Sequence, residues 1–261
     1  MTNRRRSRLF ILLLLLTGSG LQAQTWTPLD DPLAGHLRVG LQYHRTYLHD
    51  HTRLLNDSFR GSITHLEVQQ DESPFTALTL EWRFNSYIGT QFSWEQVRAR
   101  TRTTQENSTL NHTDGDIFLF GPGLTLLLRY PNPTRLTPFL GLGATWLNAE
   151  FEHNPAWQNG FSGPDREAKY DAWVASGRPP WPNKGYRRTI TLEDCPAWIL
   201  TYGLDVRITD QLDASLFVQI MEVDGVDLTQ RITFVNKLSD TQMGSFPMSN
   251  TSYGAGLRWT F

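Results

Sequence analysis

The chain has one cysteine, Cys195, so no disulfide can form within it. Oxidative cross-linking is therefore excluded as the means of holding the fold together. Charge of neither sign dominates, and a formal net charge of −2 removes the electrostatic case for a nucleic-acid partner. Beyond the N-terminus there is no long apolar run. The nearest, Phe118 to Leu128, is broken by Gly121, Pro122 and Gly123, whereas a spanning helix needs about 20 apolar residues. The mean hydropathy of −0.40 looks soluble at first sight. It does not exclude a membrane, because a barrel strand shows only alternate residues to lipid and its loops are polar. No cofactor-binding spacing stands out, and none is expected.

The N-terminus carries a different pattern. Arg4, Arg5, Arg6 and Arg8 precede the apolar stretch Leu9 to Leu16, and small and polar residues follow as far as Leu21-Gln22-Ala23-Gln24. A positive region, a short apolar region and a small residue at a cleavage site read as a secretory signal peptide over 1–23. The stretch is too short for a membrane anchor, and no cysteine follows the cleavage site to take a lipid. Residues 24–261 are then expected to form one all-β domain.

What the sequence does have is alternation. In the final nine residues, Tyr253, Ala255, Leu257, Trp259 and Phe261 fall on one face and Gly254, Gly256, Arg258 and Thr260 on the other. Successive strand residues point to opposite faces, so one face is apolar and the other small or charged. Seven further segments repeat the pattern: His36 to Arg45, Phe75 to Phe84, Tyr87 to Thr101, Asp116 to Tyr130, Leu136 to Glu150, Ala197 to Ile208 and Leu212 to Val223. Each is as long as the ~9–11 residues of a tilted spanning strand.

Short connections (Asn85-Ser86, Pro131 to Thr134, Thr209 to Gln211) alternate with long ones (Thr46 to Pro74, Arg102 to Gly115, Phe151 to Pro196, Asp224 to Asn250). An even strand number with alternating short turns and long loops is the layout of a transmembrane β-barrel. The aromatics sort to both ends of the apolar face. Tyr43, Trp94, Phe118, Trp146, Trp198 and Tyr253 lie toward the long loops, and Phe84, Tyr130, Trp259 and Phe261 toward the short turns. Two aromatic girdles are what membrane interfaces select. A soluble lipocalin-like barrel would instead turn its apolar face inward around a ligand.

The sequence resembles the small outer-membrane β-barrels of the OmpA/OmpX type. The resemblance rests on Tyr253, Leu257, Trp259 and Phe261 and on the segment Pro138-Phe139-Leu140-Gly141-Leu142-Gly143-Ala144. It implies an eight-stranded antiparallel up-and-down barrel in the outer membrane, with long extracellular loops and both termini periplasmic. It further implies that the C-terminal aromatics are the signal read by the barrel assembly machinery. Outer-membrane lipid and lipopolysaccharide become the expected partners. The peptidoglycan-binding domain that some relatives carry is expected to be absent.

On the inward face the charges are Arg38, Glu81, Arg83, Glu95, Arg129, Asp205, Arg207, Asp213 and Arg258, with His44 nearby. An eight-stranded barrel is only wide enough for side chains to fill. The charges are therefore expected to pair into a plug; a narrow pore for small solutes is the alternative. Inward glycines, Gly89 and Gly123 among them, leave room for the long arginine and glutamate side chains. A lipid A-modifying enzyme is a further alternative. His44, His49, Asp50, His51 and Ser58 lie at the right level for it, but in no recognisable catalytic spacing. A non-enzymatic barrel is the expectation, with no catalytic or metal site. The longest connection, 151–196, carries Trp157, Trp173 and Trp181. Its length and aromatic content suggest a surface-recognition loop or a lid.

Overall fold

A computed structural model describes residues 36–49, 65–70, 75–104, 113–161, 163, 165–178, 186–234 and 237–261. The expected signal peptide lies outside the described residues, as do Asp50, His51, Ser58 and Trp181. The strands, in chain order, are β1 (Leu37–Leu48), β2 (His65–Gln70), β3 (Phe75–Arg83), β4 (Ile88–Thr104), β5 (Thr113–Arg129) and β6 (Leu136–His153). There follow β7 (Tyr186–Leu192), β8 (Cys195–Arg207), β9 (Leu212–Val223), β10 (Val226–Phe234), β11 (Lys237–Phe246) and β12 (Asn250–Thr260). Two helices, α1 (Pro155–Gln158) and α2 (Arg166–Ala175), sit between β6 and β7.

Eight of the strands close on themselves in the order β1-β3-β4-β5-β6-β8-β9-β12, every neighbouring pair antiparallel. They correspond to the eight alternating segments of the sequence. The last strand closes the wall, with Leu41 opposite Leu257 and Arg38 opposite Thr260. Closure removes the free edges that an open sheet would expose. Short turns join the strands at the end that carries Leu37 and Phe261. Asn85 Oδ1 accepts from the amides of Tyr87 and Ile88 there, both at 2.8 Å, an Asx turn that fixes the β3–β4 connection.

The outer face is apolar around the whole ring. Leu78, Leu124, Leu142 and Leu216 are all 58% exposed or more, flanked by Tyr43, Trp94, Trp146 and Trp198 on one side and Phe84, Tyr130, Trp259 and Phe261 on the other. A soluble protein does not leave a continuous belt of this kind in water. Lipid is the medium that covers it, since most backbone polar groups of the wall are paired along the ladders. No helix among the described residues is long and apolar enough to cross a membrane; the strands do the crossing.

The structure adds what alternation could not show. The long connections are partly folded. β7, β10 and β11 form a separate three-stranded sheet, and β2 extends the wall by pairing with the far end of β4, His65 opposite Thr104. Asn154 starts α1 by accepting from the amides of Ala156 and Trp157 at 2.9 and 3.1 Å, with Pro155 in the first turn. One ladder is interrupted. β3 pairs with β4 only from Thr79 opposite Ser93 to Arg83 opposite Gly89. β2 resumes the pairing at Ala99. Between them, Trp94 to Arg98 of β4 have no strand partner on that side among the described residues.

Candidate functional site

The lumen is filled in three layers, and each follows from which residues point inward at that height. At the turn end stands an ionic floor. Glu81 of β3 accepts from Arg129 of β5 at 2.8 Å, from Arg38 of β1 at 3.3 Å and from Arg83 at 3.4 Å. Asp205 of β8 takes both oxygens to Arg258 of β12, at 3.0 and 3.1 Å. It also meets Arg38 and Arg129, each at 3.5 Å. Asp213 of β9 pairs with the second guanidinium nitrogen of Arg38. Five strands beyond β1 thus converge on one network through the barrel axis. Arg38, Glu81, Asp205 and Arg258 are all buried. Buried charges are tolerated only when paired in this way. Phe139 of β6 lies beneath Arg258, whose guanidinium carbon stands 4.8 Å from the ring centroid.

The middle layer is polar and aromatic. Glu95 of β4 accepts from Ser93 Oγ and, across the barrel, from Gln219 Nε2 of β9 at 2.7 Å. His44 of β1 lies between two rings, stacked on Phe75 with centroids 4.6 Å apart and edge-on to Phe217 at 4.9 Å. Its Nε2 is 3.2 Å from Gln42 Oε1. Gly254 is what makes this possible: a Cβ there would stand 2.2 Å from the Phe217 ring.

Toward the loop end the lumen turns apolar. Leu48, Val97, Ala99, Ile117, Leu119, Leu147, Ala197, Ile199, Met221 and Val223 form one cluster. It continues without a break into the structures above the rim, through Ile190 of β7, Val226 and Leu228 of β10, Phe246 of β11 and Trp157 of α1. Trp157 is 1% exposed and acts as the stopper of this roof. A buried ion pair ties the cap down. Arg166, the first residue of α2, reaches Asp114 of β5 at 3.1 Å, and its Nε reaches Glu167 at 2.7 Å.

The inward charges expected to pair into a plug do so at the turn end, and above them the lumen is lined by apolar side chains. Above the aromatic belt the two faces of the wall exchange character. On β4, Val97 and Ala99 point in while Arg98 and Arg100 are exposed. Lipid covers the outer face only along the belt, so beyond it the ordinary rule of apolar in and polar out returns.

The inward charges named from sequence separate into three groups. Arg38, Glu81, Arg83, Arg129, Asp205, Asp213 and Arg258 meet in the floor. Glu95 stands apart in the middle layer with neutral partners. Arg207 is exposed at the end of β8. Tyr253, Leu257 and Trp259 share the outer face of β12, and Phe261, just past its end, is exposed as well. The histidines do not converge. His44 is buried in the lumen, while His49 is exposed at the rim, 2.7 Å from Thr251 Oγ1. Among the described residues no three His, Cys, Asp or Glu side chains gather to hold a metal. Cys195 is buried within the apolar roof.

Sequence reasoning did not single out Gln219, Phe217 and Phe139 as lumen partners, although their parity with Gly203, Gly141 and Gly254 placed them inward. Arg166 and Asp114 carried no periodic signal, since both lie beyond the regular strand pattern.

No family model matches the chain, and no curated protein matches it. Solved structures do. The outer membrane protein OprG from Pseudomonas aeruginosa superposes with a TM-score of 0.61 at 14% identity, over 87% of this chain and 96% of that one. The outer membrane protein AlkL, determined in lipid bilayers, gives a TM-score of 0.51 at 14% identity over 87% and 90%. At this identity the likeness is one of fold. The chain has the closed eight-stranded architecture of these small outer-membrane barrels.

Proposed function

We propose that the chain is an outer-membrane barrel whose lumen is sealed, with the loop end facing outward and both termini in the periplasm. Its role is then carried by the surface that the cap and the three-stranded sheet present outside the membrane. The observation that supports this most directly is the sequence of fillings along the axis: an ionic floor, a cross-lumen hydrogen bond and an apolar roof. A water-filled path for ions or sugars would have to break all three. Outside, β7 and β10 place Arg187, Thr189, Thr191, Thr229 and Arg231 on the sheet face opposite the buried Ile190, Leu228 and Gln230. A flat face of hydroxyls and guanidinia offers hydrogen bonds and positive charge to a polar surface ligand. No enzymatic role is assigned.

A second reading has its own observation. The upper lumen is apolar, and beside it Trp94 to Arg98 of β4 have no strand partner on the β3 side among the described residues. If the cap lifts, the space beneath it suits a small apolar molecule, and the β3 side of Trp94 to Arg98 is the place where that molecule would leave sideways into lipid.

Proteoliposomes distinguish the two. Neither reading allows swelling in isosmotic solutions of small sugars or amino acids, and swelling would contradict both. Accelerated transfer of an apolar dye into the vesicle membrane, lost when the cap is cross-linked shut, would replace the first reading by the second.

A further inference from the structure

We infer that the outward face of β4, with Arg98 and Arg100, is a binding surface for the phosphates of the glycolipid in the outer leaflet. The inference rests on the outer-membrane reading above and adds a lipid partner of stated chemistry.

The position follows from alternation on one strand. Trp94 is the last aromatic of the belt on β4, and Gln96, Arg98 and Arg100 continue the same outward face toward the loop end. Four residues of strand rise about 13 Å, which a barrel tilt reduces to about 10 Å of height. The headgroup zone begins where the hydrocarbon ends and is several ångströms deep. Arg98 therefore emerges from the apolar belt into the headgroups.

Both arginines are exposed. Arg98 lies over the Phe118 ring of the neighbouring strand, 4.5 Å from its centroid. That contact holds the stem against the wall, and among the described residues no carboxylate pairs with the Arg98 guanidinium. Arg100 is 53% exposed and 3.7 Å from Asp116, an ion pair too open to satisfy its five donors. On β1, Arg45 stands on the outward face just above Tyr43, two wall positions from β4. Carboxylates stand on the other side: Glu150 and Glu152 of β6 are exposed on the same rows, opposite Phe118 and Asp116. Among the described residues, the outward arginines of this rim lie on β1 and β4.

Guanidinium matches phosphate through paired hydrogen bonds. A free phosphate would gain nothing from the belt below. A phosphorylated lipid gains both the arginines and the apolar wall of Trp94 and Phe118 against its acyl chains, and this selects the lipid as occupant.

The test uses the full chain in phosphatidylcholine vesicles with rising fractions of lipid A, reading the thermal unfolding midpoint. Lipid A should raise the midpoint of the parent protein. Arg98→Gln with Arg100→Gln should weaken the apparent affinity about fivefold per arginine. Arg135→Gln, at the turn end, should leave it unchanged. Lipid A stripped of its phosphates should lose the effect. An unchanged response in the double variant, or an equal effect of dephosphorylated lipid A, overturns the proposal. Failure of the parent to insert into the vesicles at all, read separately by protease protection, overturns the outer-membrane reading and this inference with it.

Discussion

Gln219 donates to Glu95 at 2.7 Å from a strand that stands directly opposite in the eight-strand ring, β9 facing β4. One hydrogen bond therefore spans the lumen at mid-height. It separates the charged floor from the apolar roof. A buried carboxylate depends on its donors, and Gln219 is one of the two side chains that supply them.

Gln219→Leu should therefore cost about 2 kcal/mol, the typical penalty for leaving a buried polar group without one of its partners. Glu95→Gln keeps the bridge in neutral form and should cost less. Urea unfolding in detergent micelles, followed by tryptophan fluorescence, reads both. Equal stability of Gln219→Leu and the parent would show that the bridge does not hold.

Asp205 serves three arginines from three other strands, Arg38, Arg129 and Arg258. Asp205→Asn removes the charge while keeping the volume, and widens the floor's excess of guanidinium, already four arginines to three carboxylates. The expected loss is about 3–5 kcal/mol. The parallel variant Arg207→Gln, exposed at the end of β8, should stay within about 0.5 kcal/mol of the parent. Equal costs for the two substitutions would contradict the separation of Arg207 from the floor.

Gly254 faces the Phe217 ring so closely that any side chain would displace it. Gly254→Leu should prevent the compact, heat-modifiable species on unheated gels, and adding Phe217→Ala should restore part of it. Gly177→Ala, with open space around it but φ of +85°, should leave the barrel assembled. Failure of the second-site change to rescue assembly would argue that Gly254 matters for another reason.

The cap is predicted to move independently of the wall. Arg166→Met breaks the buried pair with Asp114 without touching a barrel ladder. Hydrogen exchange in α2 should speed up at least tenfold while the β8 and β9 amides keep their protection. Acceleration in all of them together would mean that cap and wall open as one unit.

The wall was legible in the sequence because lipid and lumen impose opposite demands on alternate residues, and the eight strands record them. Arg38, Glu81, Asp205 and Arg258 could be placed inward from parity alone. Their partners could not, because a network through the axis depends on how strands far apart in sequence are staggered. The apolar roof was hidden for a different reason. At Val97 and Ile117 the lipid ends, so the meaning of "apolar" changes from outward to inward partway along a continuous strand. Trp157 and Arg166 act from short helices in a long connection, where no period announces them.

Single-channel recording across a planar bilayer tests the sealed lumen most directly. With the purified parent protein inserted, as shown by protease protection in matched vesicles, the account predicts no discrete current steps in symmetric salt. It predicts the same for Trp157→Ala, because the ionic floor remains beneath an opened roof. Reproducible current steps from the parent protein would contradict it.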